Sequence, residues 1–148
     1  PSRARRILTP GDSIFGTVRP GNRSFALIPP TDCVLTGSTG FAVLTPRSNI
    51  YREFNYLSVI SDSNIDRLTT VASGAAYPAV NPEVVTAQVL PLPPEELVTH
   101  FHDSVASSFD LIATHRTQSH HLAQLRDWLL PMLMNGQVRV GSSQSKAM

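Results

Sequence analysis

Cysteine is almost missing from this 148-residue chain. Cys33 stands alone, so no internal disulfide can form, which fits a reducing compartment. No apolar run is long enough to span a bilayer and no signal-peptide pattern is present, so a soluble, cytoplasmic chain without a membrane partner is expected. Metal-ligand spacing is missing too. His100 and His102 lie two apart on a helical pattern and diverge, as do the adjacent His120 and His121. Neither an H-E-x-x-H motif nor a cysteine pair is present, so no metal is expected. The serines of "GDS", "GSTG" and "ASGA" lie outside any G-x-S-x-G, and there is no P-loop or dinucleotide fingerprint. We therefore expect no catalytic residue and no cofactor on this chain.

What is present is a core and an uneven charge. The composition is 41% hydrophobic, enough for a packed domain. Residues 1–52 hold seven arginines against Asp12 and Asp32, a balance of +5, whereas residues 53–148 hold four arginines and one lysine against nine acids, a balance of −4. The basic front is made of Arg, whose planar fork grips phosphates and base edges. Either a polyanion partner or an ordinary surface with a local Arg excess accounts for it.

The front half reads as short β runs separated by turns. "RRILTPGDSIFGTV" gives a strand, a Pro-Gly-Asp turn and a second strand; "SFALIPP", "CVLT" and "FAVLTP" are further runs rich in strand-forming residues. From Tyr51 the period changes to three and four, predicting a helix near 51–60 and another over 63–71, capped by Asp62 or Ser63. "PEVVTAQVLPL" predicts a strand over 84–90, stopped by Pro91. Pro93 and Pro94 then suit the start of a helix, with Glu95 and Glu96 in its first turn.

Between Glu95 and Leu130 there is no Gly or Pro, a span of about 50 Å at 1.5 Å per residue, with Pro131 ending or kinking it and Gly136 closing the region. Its apolar seam passes through Phe101, Val105, Ile112, Leu122 and Leu129 and is broadened by Leu125 and Leu130. Such a helix serves as a spacer, a coiled-coil partner or a docking face; the alternative is a hairpin broken near His115. The expected division is thus residues 1–91 as a β-rich globular front, 92–138 as a helical docking region and 139–148 as a loose tail. The fold class is α/β of the α+β type, β-rich in front with a long C-terminal helix.

Three loops are candidate contacts for a polyanion. Arg19, Asn22 and Arg23 sit in a Gly-containing loop; Arg can hold phosphate or guanine, and Asn can pair with adenine. Ser38 and Thr39 offer hydroxyls and backbone N–H groups in "GSTG". Ser73, Gly74 and Tyr77 form the third, Gly74 permitting close backbone approach and Tyr77 offering a stacking face. Arg3, Arg5 and Arg6 either grip a backbone by charge or belong to a frayed terminus. Each loop also reads as an ordinary exposed turn.

Four stretches, "LTPGDSIFGTVRPGNRSFALIP", "TGSTGFAVLTPR", "ASGAAYPAVNPEVVTAQVLPLPPEEL" and "LAQLRDWLLPMLMNGQV", together span about residues 8–138. In that order the chain resembles the second half of a target-recognition domain, with its spacer helix, from a type I restriction–modification DNA-specificity subunit. It departs from that pattern at Leu97 and Val98, where the family often has Gln after the acids, and in a helix poor in lysine. The resemblance implies a globular part that reads one half of a bipartite site in double-stranded DNA. It implies a helix that docks DNA methyltransferase (modification) subunits, with a restriction endonuclease subunit joining the assembly and the methyl donor bound elsewhere. It also implies either a fragment or a half-sized subunit that self-associates through the helix. The rival reading is a helix-mediated interaction or dimerisation module that never touches DNA.

Overall fold

The Pro-Gly-Asp turn shows how local chemistry sets the topology. In a computed structural model, which describes residues 3–74 and 78–138, Asp12 is buried and its carboxylate accepts the Thr9 N–H at 2.8 Å and the Thr45 hydroxyl at 2.7 Å. Its backbone is tied to Ile28, whose N–H donates to the Asp12 carbonyl at 2.8 Å. Gly11, at φ 91°, takes the left-handed position that this reversal needs. The turn is thus a junction rather than a hairpin. Strands β1 (Ala4–Leu8) and β2 (Ser13–Gly16) do not pair with each other.

Instead β1 pairs antiparallel with β4 (Leu35–Ser38), and β2 lies between β3 (Phe25–Leu27) and β5 (Phe41–Leu44), antiparallel to both. Strand β4 begins two residues later than "CVLT" suggested and absorbs Gly37 and Ser38, leaving the turn at residues 39–40. The helices α1 (Arg52–Ile60) and α2 (Asp62–Val71) follow the predicted period. Ser61 rather than Asp62 or Ser63 takes the cap position of α2, and it does so through its backbone: its carbonyl accepts from Asn64 and Ile65 at 3.0 Å, while its hydroxyl donates to the Ser58 carbonyl.

The strand expected over 84–90 is not there. Residues Pro82–Thr86 form a short helix, α3, with Asn81 at its cap position, Pro82 in its first turn and Glu83 beside it. The β-branched run Val84, Val85 and Thr86 is overridden by this start signal and by burial, because a single helical turn drops Val85 into the core. That core joins Phe15 and Ala42 of the three-stranded sheet to Val59, Ile65, Leu68, Val80 and Val85. Asn64 is buried among them. Its amide donates to the Val59 carbonyl at 2.7 Å and accepts from Arg67, which in turn donates to the Val84 carbonyl at 3.1 Å, tying α2 to α3.

Helix α4 (Glu95–Met134) is unbroken through His115 and contains Pro131 rather than ending at it. Pro94 leads it, accepting from Leu97 and Val98. Gly136, at φ 70°, ends it: Gln137 N–H donates to the Met132 carbonyl and Gly136 N–H to the Leu133 carbonyl, the paired bonds of a left-handed C-terminal cap. The chain divides into two compact units, residues 1–109 and 110–148, with the boundary inside α4. In the first unit, the opening turns of α4 are pinned by buried Val98, by an edge-on contact of Phe109 with Tyr56 and by His102.

Candidate nucleic-acid interface

The site starts from Thr17, a buried residue just past β2. Its N–H and its hydroxyl both donate to the Gly40 carbonyl, at 2.9 and 3.0 Å, and its own carbonyl accepts the Val80 N–H at 2.9 Å. Next to it Val18 bridges to Ala79, the Arg19 N–H donates to the Pro78 carbonyl at 2.8 Å, and Ala79 exchanges two backbone bonds with Ser73. Thr17 and Val18, which lead into the loop 19–23, are thus met by two segments distant in sequence: the turn 38–40 and residues 73–74 with 78–80. The described residues of the three candidate loops therefore share one rim.

The loop 19–23 is built around a 3-10 turn at Pro20–Asn22. Both arginines that flank it are left-handed, Arg19 at φ 48° and Arg23 at φ 55°, and among the described residues they alone combine a side chain with positive φ. Strain of that kind costs about 1–3 kcal/mol per residue and gathers at functional loops. The strain is held by neighbours: Asn22 N–H donates to the Arg19 carbonyl and Arg23 N–H to the Pro20 carbonyl. Arg23 reaches Asp62 at 2.5 Å in an exposed pair, and Arg19 and Asn22 are exposed.

In the turn, Ser38 is half-buried and its hydroxyl oxygen accepts the Gly40 N–H at 3.3 Å, while exposed Thr39 donates its N–H to the Arg3 carbonyl at 3.0 Å. Ser73 and Gly74 are exposed, with Gly74 at φ 107°. Tyr77 lies outside the described residues.

Two groups that matter escaped the sequence reading. Thr17 gives no local signal, since its partners lie 23 and 63 positions away. Glu53 is 0% exposed, bound by Arg52 Nε at 2.6 Å and His102 Nδ1 at 2.7 Å. With a carboxylate as acceptor, the imidazole nitrogen is the donor. Its signal was a charged residue on the buried face of α1, one turn before Tyr56. Among the described residues no group of three or more His, Cys, Asp or Glu could hold a metal ion.

The helix residues fall into two sets. Phe101 and Val105 are half-buried in the first unit. In the second unit Ile112, Leu122, Leu125 and Leu130 are exposed and Leu129 is half-buried; Trp128, 59% exposed, adds an aromatic that the seam had left out. No helix is long and apolar enough to cross a membrane among the described residues.

No family model and no curated protein matches the chain. Solved structures do, among them these two. One is a chain from a structure concerned with complex assembly and conformational transition of the type I R-M system. It is 30% identical, with a TM-score of 0.59, and the match covers 99% of this chain and 38% of that one. The other is the HsdS subunit from Thermoanaerobacter tengcongensis, 28% identical, TM-score 0.56, covering 100% of this chain and 38% of that one. This chain thus spans well under half the length of the proteins it resembles.

Proposed function

We propose that this chain, a domain of the type I restriction–modification specificity-subunit kind, reads one half of a split site in duplex DNA and holds other subunits through α4. The observation that carries the DNA part is the convergence of three loops on Thr17 and Val18. A rim fed by separate segments can vary its side chains while the sheet beneath stays fixed. Arg19, Asn22 and Arg23 supply the groups that read base edges, and Ser38, Thr39, Ser73 and Gly74 bring hydroxyls and backbone close to the duplex. The chain carries no chemistry of its own in this reading; methyl transfer and cleavage reside in modification and restriction subunits.

The docking part rests on the apolar residues that the second unit leaves exposed, Leu122, Leu125, Trp128 and Leu130 among them. Exposed apolar side chains in such number mark a protein partner. It equally supports the second reading, a helix-mediated interaction module that leaves DNA alone.

One experiment separates the two. The chain, assembled with its cognate methyltransferase subunit, is incubated with a randomised duplex library, and the bound fraction is sequenced. Enrichment of a short half-site that vanishes in an Arg19→Ala/Arg23→Ala variant supports recognition. Tight assembly with no enriched sequence leaves only the interaction module.

A further inference from the structure

Strand β1 departs from the alternation that a regular strand imposes. Its register on β4 runs Leu8 to Leu35, Ile7 to Thr36 and Arg6 to Gly37, then shifts between Arg6 and Ala4, so that Ala4 faces Ser38. In a regular strand residues 5 and 6 would project to opposite faces. A bulge re-aims one of them. The result is that Arg5 and Arg6 line the same cavity of about 260 Å³, together with Ser38, Thr39, Phe41 and Pro82.

The chemistry of that cavity is one-sided. Among the described residues it is lined by two guanidinium-bearing side chains and two hydroxyls, and by no carboxylate. The Ser38 oxygen accepts the Gly40 N–H, so its own O–H remains a donor. Its volume equals roughly nine waters at about 30 Å³ each, enough for a phosphodiester group with its ester oxygens. The neighbouring depression differs: Arg6 and Asp12 both line it, and the Asp12 carboxylate is already engaged by Thr9 and Thr45. Arg23 on the rim likewise faces the carboxylate of Asp62.

The cavity is coupled to the rim. Thr39 is tied to β1 through the Arg3 carbonyl, and Gly40, next along, is tied to Thr17. A phosphate held by Arg5, Arg6, Ser38 and Thr39 would therefore fix the distance between a DNA strand and the three converging loops.

We propose that the bulged β1–β4 ribbon is a backbone clamp that seats a phosphate of duplex DNA without reading bases. The proposal rests on the DNA-recognition reading above and assigns the positioning step to a different surface. Contacts to phosphate set register while contacts to base edges set sequence.

The test is fluorescence anisotropy of the full chain with a labelled duplex of mixed sequence between about 50 and 200 mM salt. Each neutralised phosphate contributes about 0.9 to the slope of log affinity against log salt, so Arg5→Ala/Arg6→Ala, which empties one phosphate seat, should lower the slope by about 0.9. Across that fourfold salt range the affinity drop should shrink about 3.5-fold, equally for preferred and random duplexes. Arg5→Lys/Arg6→Lys, which keeps the charge and guards against misfolding as the cause, should restore the slope. A slope unchanged in the alanine variant, with wild-type binding intact, overturns the clamp and leaves the rim's role standing. Absence of wild-type duplex binding overturns both. Displacement of the duplex by inorganic phosphate beyond that of chloride at equal ionic strength identifies a small-anion site and overturns the clamp.

Discussion

Removing the Glu53 carboxylate should be among the most damaging single changes in the first unit. The group is fully buried, and two bonds converge on it, from Arg52 at 2.6 Å and His102 at 2.7 Å. A hydrogen bond to a charged group contributes about 1.5–3 kcal/mol, and breaking a buried pair by deleting one partner costs about 3–5 kcal/mol. Glu53→Ala should therefore lose about 3–5 kcal/mol, a large share of the roughly 5–15 kcal/mol that holds an ordinary domain folded. Glu53→Gln should lose less, because its carbonyl can still accept from Arg52 and its amide can donate to a neutral imidazole. The internal reference is Asp62→Ala, which breaks the exposed pair with Arg23 and should cost no more than about 1 kcal/mol. Urea denaturation reads all three, as a shift in midpoint at constant slope. Because Glu53 sits on α1 and His102 on α4, amide exchange in the first turns of α4 should quicken in Glu53→Ala and not in Asp62→Ala. A loss under about 1 kcal/mol, no larger than that of Asp62→Ala, would refute the idea that this buried cluster anchors the helix.

Other expectations follow from single contacts. A Cβ at Gly16 would sit 2.9 Å from Ser24 Cβ and 3.1 Å from its carbonyl oxygen. Gly16→Ala should thus cost about 1–3 kcal/mol and raise protease cleavage in the loop 19–23. Arg19→Gly and Arg23→Gly relieve a left-handed backbone, so thermal stability should stay within about 1 kcal/mol of wild type while duplex affinity in a gel-shift assay falls. If stability falls by several kcal/mol instead, the two arginines are there for folding. Leu122→Glu/Leu125→Glu should abolish co-elution with the methyltransferase subunit in light-scattering chromatography and leave helix content by circular dichroism unchanged.

Legibility followed range. The two helices after Tyr51 and the long run from Glu95 were readable because a period of three to four residues is a local signal with many repeats. Five β runs in the front half were readable as strands, β4 with its start two residues early, yet their pairing was not. Nothing near Pro10 says that β1 leaves for β4 while β2 goes to β3 and β5. The misreading at 84–90 was avoidable in part: Asn81, Pro82 and Glu83 already spell a helix start, but three β-branched residues outweighed them. The candidate loops were chosen one by one for their residue types, and their meeting at Thr17 depended on bonds spanning tens of residues. The bulge at Arg5 was invisible for the same reason, being a property of two strands rather than of one.

The distribution of strain and burial argues for a division of labour inside the first unit. The positive-φ arginines and the exposed hydroxyls lie along the rim and the ribbon, where loss of a side chain leaves the core of Phe15, Leu68 and Val85 untouched. The costly buried polar groups, Asp12, Asn64 and Glu53, lie elsewhere, each bonded to a different joint: the β1–β2 turn, the α2–α3 junction and the α1–α4 anchor. Each joint fixes an element without contributing a group to the rim. Sequence can therefore change at exposed positions 19, 22, 23, 39 and 73 with little penalty in stability, whereas the scaffold that aims them tolerates little. A surface that must be respecified while its frame persists needs that separation, and here it is Thr17, through backbone carbonyls and N–H groups, that links frame to surface without dictating any side chain on it.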